Sequence, residues 1–229
     1  PKGLEITYGA MTNASINHTM IVGSKDDNQL IMALPTKETF VGFLQPLFNA
    51  VYIGYIMFIT NNEQSINPAL FHGFLMKNRI EDAPFPPIMV DHYLNNVNNP
   101  FLKNIFTGGD KVNLTKLSDS VNITVVYGLT ESFGATTYYK IDSLDKPSCV
   151  GKPFLNTELY VLDENYQQCG KNQIGQIALS GIQVANSYLN DDDETRKHFI
   201  DNPYPPKDSC YDSYYDKLFL TGDYGYIGD

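Results

Sequence analysis

The sequence predicts an α/β protein, with a parallel sheet and flanking helices over residues 1–140 and a β-rich, barrel-like portion over residues 141–229. Three observations carry this. From residue 28 to about residue 127, short apolar runs alternate with longer amphipathic ones, the rhythm of strands joined by crossover helices. After Lys140 the apolar runs become strand-like and are separated by turn-rich stretches such as Asp163, Glu164, Asn165 and Gly170. The hydrophobic fraction of 42% over 229 residues is enough for one large core, which excludes a disordered chain.

In chain order, Leu30–Leu34 reads as a strand and Thr39–Asn49 as the helix after it. Val51–Thr60 (VYIGYIMFIT) is the longest apolar stretch. It has about half the roughly 20 residues a membrane helix needs, so it reads as a buried strand and no membrane span is expected. Pro68–Asn78 and Val112–Ser118 read as helices, and Leu102–Phe106 and Ile123–Tyr127 as strands. In the second portion Thr157–Leu162 and Ile174–Leu179 read as strands. Asp191–Phe199 (DDDETRKHF) is acidic at its start and basic at its end, which complements the dipole of a short helix. Pro203, Pro205 and Pro206 make a loop, and the adjoining Tyr211–Tyr215 run reads as surface. Neither an internal repeat nor a low-complexity linker divides the chain.

The formal net charge of −10 argues against a nucleic-acid surface, which clusters Lys and Arg, and is compatible with a site for a metal-carried nucleotide. Cys149, Cys169 and Cys210 are odd in number, widely spaced and outside any metal-ligand pattern. They read as free thiols of a reducing compartment, hence a cytoplasmic location. Sequons start at Asn13, Asn17, Asn113 and Asn122, a frequent accident in an Asn-rich chain. His18, His72, His92 and His198 match no catalytic or metal spacing and read as satisfied structural or surface histidines.

The most informative segment is Val125–Ala135, VVYGLTESFGA. A strand delivers Tyr127 to a turn at Gly128, and a hydroxyl at Thr130 and a carboxylate at Glu131 follow. Chemistry at the α-phosphate of ATP needs such parts: an aromatic face for the base, small donors for phosphate oxygens and a carboxylate for Mg²⁺. Alone, the segment equally fits a strand that ends in an ordinary Tyr-Gly turn.

Tyr127-Gly128-Leu129-Thr130-Glu131 resembles the Tyr-Gly-x-Thr-Glu motif of the adenylate-forming superfamily, which includes acyl-CoA synthetases, luciferases and adenylation domains of nonribosomal peptide synthetases. Three further segments match in order: Thr107-Gly108-Gly109 upstream, Ile174–Asn190 (IGQIALSGIQVANSYLN) in the peptide-synthetase style, and Leu218–Asp223 (LFLTGD). Pro1-Lys2-Gly3 agrees with the end of the family's phosphate-gripping loop. The resemblance implies an enzyme that joins a carboxylic acid to AMP from ATP with Mg²⁺ and passes the acyl group to the phosphopantetheine of a carrier protein or to coenzyme A. It implies that Tyr127 stacks on adenine, Thr130 bonds the α-phosphate, Glu131 binds Mg²⁺ and Asp223 chelates the ribose, while Gly108, Gly109 and Gly128 let backbone approach the nucleotide. The acid pocket would be lined by Phe106, Gly108, Val126, Gly134 and Ala135, with Lys37 and Glu38 at its charged end. A C-terminal lid subdomain carrying a catalytic lysine would follow Asp229, so these residues would form the latter part of the large N-terminal subdomain.

The sequence departs from the family at four places. Val125 stands where an asparagine reads adenine, Tyr226 where an arginine is frequent, and Gln176 where the family has glutamate. Lys37 stands where amino-acid-activating domains carry an aspartate for the substrate ammonium. Two cations a few ångströms apart would repel by several kcal/mol at an effective dielectric of about 20. Either Glu38 takes the aspartate's role, or the substrate lacks an amino group. The second option is in keeping with Leu44-Gln45-Pro46-Leu47, which fatty-acyl-AMP ligases also carry. A degenerate domain that binds a nucleotide or a partner without turnover is the reading from a different class.

Overall fold

The computed structural model describes residues 2–22, 30–35, 41–146, 148–206 and 212–228. The elements run α1 (Tyr8–Val22), β1 (Ile31–Leu34), α2 (Val41–Ile53), β2 (Ile56–Ile59), α3 (Asn62–Ile66), α4 (Pro68–Lys77), β3 (Asp82–Pro84), α5 (Pro87–Asn96), β4 (Asn104–Gly108), β5 (Asn122–Leu129), β6 (Gly134–Lys140), β7 (Lys152–Pro153), β8 (Thr157–Leu162), β9 (Gly175–Gly181), α6 (Asp192–His198), β10 (Phe199–Asp201) and β11 (Lys217–Gly225). Short 3-10 turns cover Thr130–Ser132 and Asp212–Tyr215.

Seven strands form the first sheet in the order β2-β1-β3-β4-β5-β6-β7. The pairs from β2 to β5 are parallel, and β6 and β7 are added antiparallel. Successive strand residues point to opposite faces. Ala33, Ala83, Ile105 and Ile123 therefore bury against Phe71 and Leu75 of α4 and Val90 and Tyr93 of α5. On the other face Phe106 packs with Ile21 of α1 and Phe154, and Met32 packs with Ala50 of α2. The parallel strands thus lie between two helical layers, and their carboxyl ends share one edge of the sheet. In doubly wound folds that edge is the usual place for a ligand.

The β-rich portion is a four-stranded antiparallel sheet, β10-β11-β9-β8, so the expected barrel-like form narrows to an open sheet. The change of sheet falls between Pro153 and Thr157, since Lys152–Pro153 still pairs with the first sheet. Leu179, Val184, Ala185, Tyr188, Phe199 and Phe219 form the second core, against which Leu4, Ile6 and Leu129 also pack. Main-chain bonds tie the two parts: Glu5 donates to Ser187 (3.2 Å) and Ala185 to Glu131 (2.7 Å).

Several elements match the sequence reading, and Thr157–Leu162 does so to the residue. Asp191 caps the acidic-to-basic helix by accepting from the Glu194 N–H. Others differ. Val51–Thr60 is not one buried strand: α2 continues to Ile53, Gly54 at φ +82° ends it, and only Ile56–Ile59 is extended, at the sheet edge with both ends exposed. Val112–Ser118 is irregular, because side chains take over its backbone bonds. Asp91 accepts from the Thr115 N–H and hydroxyl, and the Ser118 hydroxyl accepts from the Val121 N–H. The sequence reading assigns no element to the α1, α3, β3, α5, β6, β7 and β11 segments. The Tyr211–Tyr215 run is not all surface: Tyr215 is buried, while Tyr211 lies outside the described residues. The sequon residues Asn13 and Asn17 are buried and grip the main chain of Leu155, Asn13 through its carbonyl and Asn17 through its N–H as well.

Candidate active site

The chemistry-bearing motif sits where β5 leaves the sheet. Val126 pairs with Gly108 on β4, and beyond Leu129 the chain tightens into the 3-10 turn that carries Thr130 and Glu131. The buried Ser132 hydroxyl holds this turn, accepting from the Leu129 N–H at 3.2 Å. Phe133 and Gly134 then both take positive φ, +53° and +87°, and reverse the chain into β6. Gly108 and Gly109 are glycine for different reasons. A Cβ on Gly108 would stand 2.1 Å from the Val126 carbonyl oxygen, so its requirement is strand packing. Gly109 needs φ +84° and has nothing within 4 Å of the place of its missing Cβ.

Tyr127 and Asp223, far apart in sequence, meet directly: the phenol donates to Asp223 Oδ2 at 2.8 Å. The strand pairing of β11 with β9 slips between Leu220 and Tyr224, and this irregularity brings Thr221-Gly222-Asp223 out of the ladder. Within it the Thr221 hydroxyl donates to the Ile177 carbonyl (2.8 Å) and accepts from the Asp223 N–H (3.1 Å). Burial pushes the Tyr127 phenol well above its usual pKa, and the Asp223 carboxylate adds to that, so the ring stays neutral at physiological pH.

Glu131 is half-buried, and its Oε1 accepts from the Tyr188 hydroxyl at 2.7 Å. The Tyr188 phenol is likewise raised, first by burial and then by that carboxylate. Lys2 lies 4.8 Å over the Tyr188 ring and is paired with Glu194. Thr130 is exposed beside Glu131.

A cavity of about 450 Å³ opens next to this edge. Phe106, Gly108, Gly109, Val126, Gly128, Gly134 and Ala135 all line it. Expected site residues from both ends of the motif therefore converge on one cavity. Gln45 on α2 builds its wall, accepting from the Ala135 N–H (2.9 Å) and donating to the Ala135 carbonyl (3.2 Å). Gln183, fully buried, donates to the Ser132 carbonyl at 3.1 Å. Lys37 and Glu38 lie outside the described residues. Sequence reasoning passed over Gln183 and Tyr188 as bonding residues and used Gln45 only as an alignment marker. The reading of His18 as a satisfied histidine does not hold: it lines the cavity, and its Nε2 has no partner among the described residues.

Residues 1–189 match the family described as AMP-binding enzyme, and the chain belongs to that family. Among curated proteins it is similar to bacitracin synthase 1 of Bacillus licheniformis, 28% identical over 92% of this chain but only 4% of that protein. Among solved structures it is similar to an O-succinylbenzoate coenzyme A synthetase from Bacillus subtilis in complex with ATP and magnesium ion (TM-score 0.81, 19% identity, all of this chain and 45% of that one). It is also similar to an artificially fused adenylation–PCP di-domain from Klebsiella oxytoca (TM-score 0.83, 17% identity, all of this chain and 46% of that one). The chain thus spans a small part of the first curated relative and under half of these structures. Among the described residues no helix is long and apolar enough to cross a membrane.

Proposed function

We propose that this chain supplies the nucleotide and acid sites of an adenylate-forming ligase, which activates a carboxylic acid as its acyl-AMP with release of pyrophosphate. The observation that carries the reading is the meeting of two unlike surfaces at Gly108 and Gly128: a polar edge bearing Tyr127, Thr130, Glu131 and Asp223, and a largely apolar cavity. A molecule that is charged at one end and apolar at the other fits that junction. Membership of the AMP-binding family supports the nucleotide at the polar end.

The residues present fit Mg²⁺. Glu131 has one oxygen engaged by Tyr188, and its other oxygen has no partner among the described residues. No three His, Cys, Asp or Glu side chains gather as metal ligands among the described residues. A single carboxylate completed by phosphate oxygens and water is the usual way a nucleotide-bound Mg²⁺ is held. When bound, the ion supplies positive charge against the phosphate oxygens. Thr130 donates to the α-phosphate, Tyr127 offers its ring to adenine, and Asp223 accepts from the ribose hydroxyls. No side-chain nucleophile is needed, because positioning and charge neutralisation lower the barrier to carboxylate attack. The acyl group then passes to a thiol. The likeness to bacitracin synthase 1 and to the adenylation–PCP fusion supports a carrier-protein phosphopantetheine, and that to the coenzyme A synthetase supports coenzyme A as the alternative. We further assign residues 1–140 to the nucleotide and acid half, residues 141–229 to a β-rich portion of the same large subdomain, and the whole to the cytoplasm.

The test is isotope exchange. The full-length parent protein, given ATP, Mg²⁺, labelled pyrophosphate and a panel of amino, aryl, keto and fatty acids, should return label to ATP with one class of acid. Silence across the panel by folded protein would leave the binding-only domain as the surviving reading.

A further inference from the structure

The stretch that follows β9, residues 183–188, grips Glu131 and the residue after it. The Glu131 main-chain carbonyl accepts from the Ala185 N–H at 2.7 Å, and the Ser132 carbonyl accepts from the Gln183 side chain at 3.1 Å. The Glu131 carboxylate accepts from the Tyr188 hydroxyl at 2.7 Å through Oε1, while Oε2 has no partner among the described residues. The phenol that makes this bond is itself held from several sides. Tyr188 is buried, with its ring edge-on to those of Phe199 (centroids 5.5 Å apart) and His198 (5.9 Å), and Lys2 Nζ lies 4.8 Å over its face. Its N–H donates to the Thr195 hydroxyl at 3.0 Å, and it forms an antiparallel bridge with Leu4. A hydroxyl donating to an ionised carboxylate at such a distance is one of the stronger kinds of hydrogen bond. Of the two Glu131 oxygens, one is therefore engaged and one is open.

We propose that Tyr188 is a positioning residue that limits Glu131 to a single metal-binding oxygen, and that this limit selects Mg²⁺ over Ca²⁺. This deepens the adenylate-forming reading and rests on it. The two ions ask different things of a carboxylate. Ca²⁺ collects about six to eight oxygens and often takes both from one carboxylate, whereas Mg²⁺ keeps a strict octahedron, retains several waters and is held through one or two carboxylates with phosphate oxygens. A glutamate with Oε1 engaged by Tyr188 serves the second pattern and is a poor partner for the first. Loss of the hydroxyl would free Oε1, opening two-oxygen binding to the larger ion and leaving the carboxylate less well oriented for the smaller one. The main-chain bonds from Ala185 and Gln183 do not depend on that hydroxyl, so the carboxylate would stay in place while the number of its free oxygens changes.

The test uses the full-length protein and α,β-methylene-ATP, an analogue that cannot release pyrophosphate. Calorimetry gives the affinity for this analogue with Mg²⁺ and with Ca²⁺ in wild type, Tyr188→Phe and Thr195→Val, and pyrophosphate exchange is run alongside with the panel of acids. Wild type should bind the Mg²⁺ form the more tightly. The Mg²⁺-over-Ca²⁺ ratio of affinities should fall about tenfold or more in Tyr188→Phe, the scale of losses when a bond to a metal ligand is removed. It should keep its wild-type value in Thr195→Val, which takes away the acceptor of the Tyr188 N–H but leaves the phenol. The ratio is internal to each variant, so a smaller folded fraction does not move it. A ratio unchanged in Tyr188→Phe, or shifted equally in Thr195→Val, overturns the positioning role and leaves the adenylation reading intact. A ratio that falls in Tyr188→Phe alone, with no exchange by any acid, upholds the role and removes the catalytic reading. Binding of the analogue by wild type that is indifferent to metal, or no binding, overturns the role together with the assignment of Mg²⁺ to Glu131.

Discussion

The two ends of the site are built on opposite principles. At the polar end the functional groups are already bonded to one another: Tyr127 to Asp223, and Glu131 to Tyr188. Each carboxylate is therefore held in place before any ligand arrives, which lowers the ordering cost of binding. Around the cavity the framework bonds run through Gln45 and Gln183 to the main chain, while His18, Asn49 and Thr107 hold buried polar atoms without a partner among the described residues. One end is preorganised by satisfying its groups. The other surrounds an apolar space with groups that the described residues leave unsatisfied.

The contrast is sharpened first by Glu131→Ala. With the carboxylate proposed to hold Mg²⁺ gone, pyrophosphate exchange by the full-length protein should fall about 10²–10³-fold. Exchange unaltered in that variant would remove Glu131 from the metal site. The cavity end predicts a pH effect instead. His18 is uncharged in the fold down to about pH 4, whereas the unfolded chain protonates near 6.5. The unfolded state therefore binds the extra proton in that window, and stability declines as pH falls from about 6.5 to 4, by about 3 kcal/mol from this residue. Urea midpoints across that range should slope less in His18→Phe; equal slopes would discount the buried imidazole. Gln45→Leu removes the side-chain acceptor of the Ala135 N–H, while Gln183 still donates to the Ala135 carbonyl, and should cost about 1–3 kcal/mol in the same denaturation measurement. The smallest effect is expected from Tyr188→Phe. It removes an orienting bond but no charge, and positioning losses of this kind run from about tenfold upward, seen here as a raised Mg²⁺ requirement in exchange. A Tyr188→Phe loss as large as that of Glu131→Ala would mean that the bond, rather than the carboxylate, is the essential part.

How much of this was legible beforehand follows the same division. Tyr127, Thr130, Glu131 and Asp223 stand in short motifs, so their types and spacing survive as text, and Asp191–Phe199 announces its helix through local charge. The cavity is assembled from α1, α2, β4, β5 and the turn after it, and no local pattern marks a shared wall. Helix α1 hid for a further reason: Asn13, Ser15, Asn17 and His18 face inward while Tyr8 and Met20 are largely exposed, which inverts the usual amphipathic signal. Val51–Thr60 misled because an unbroken apolar run does not distinguish helix from strand, and Gly54 divides it into one of each. Lys37 and Glu38 remain a reading of the sequence alone.

The Gln45 contact carries a last consequence. Its amide meets both the N–H and the C=O of residue 135, just as the peptide group of an adjoining strand would, so α2 lends the sheet edge one transplanted rung. That rung grips main chain only and is blind to the side chain it serves. The residue at 135 can therefore be exchanged for a larger one, re-cutting the outline of the cavity, while the seam between helix and sheet stays sewn.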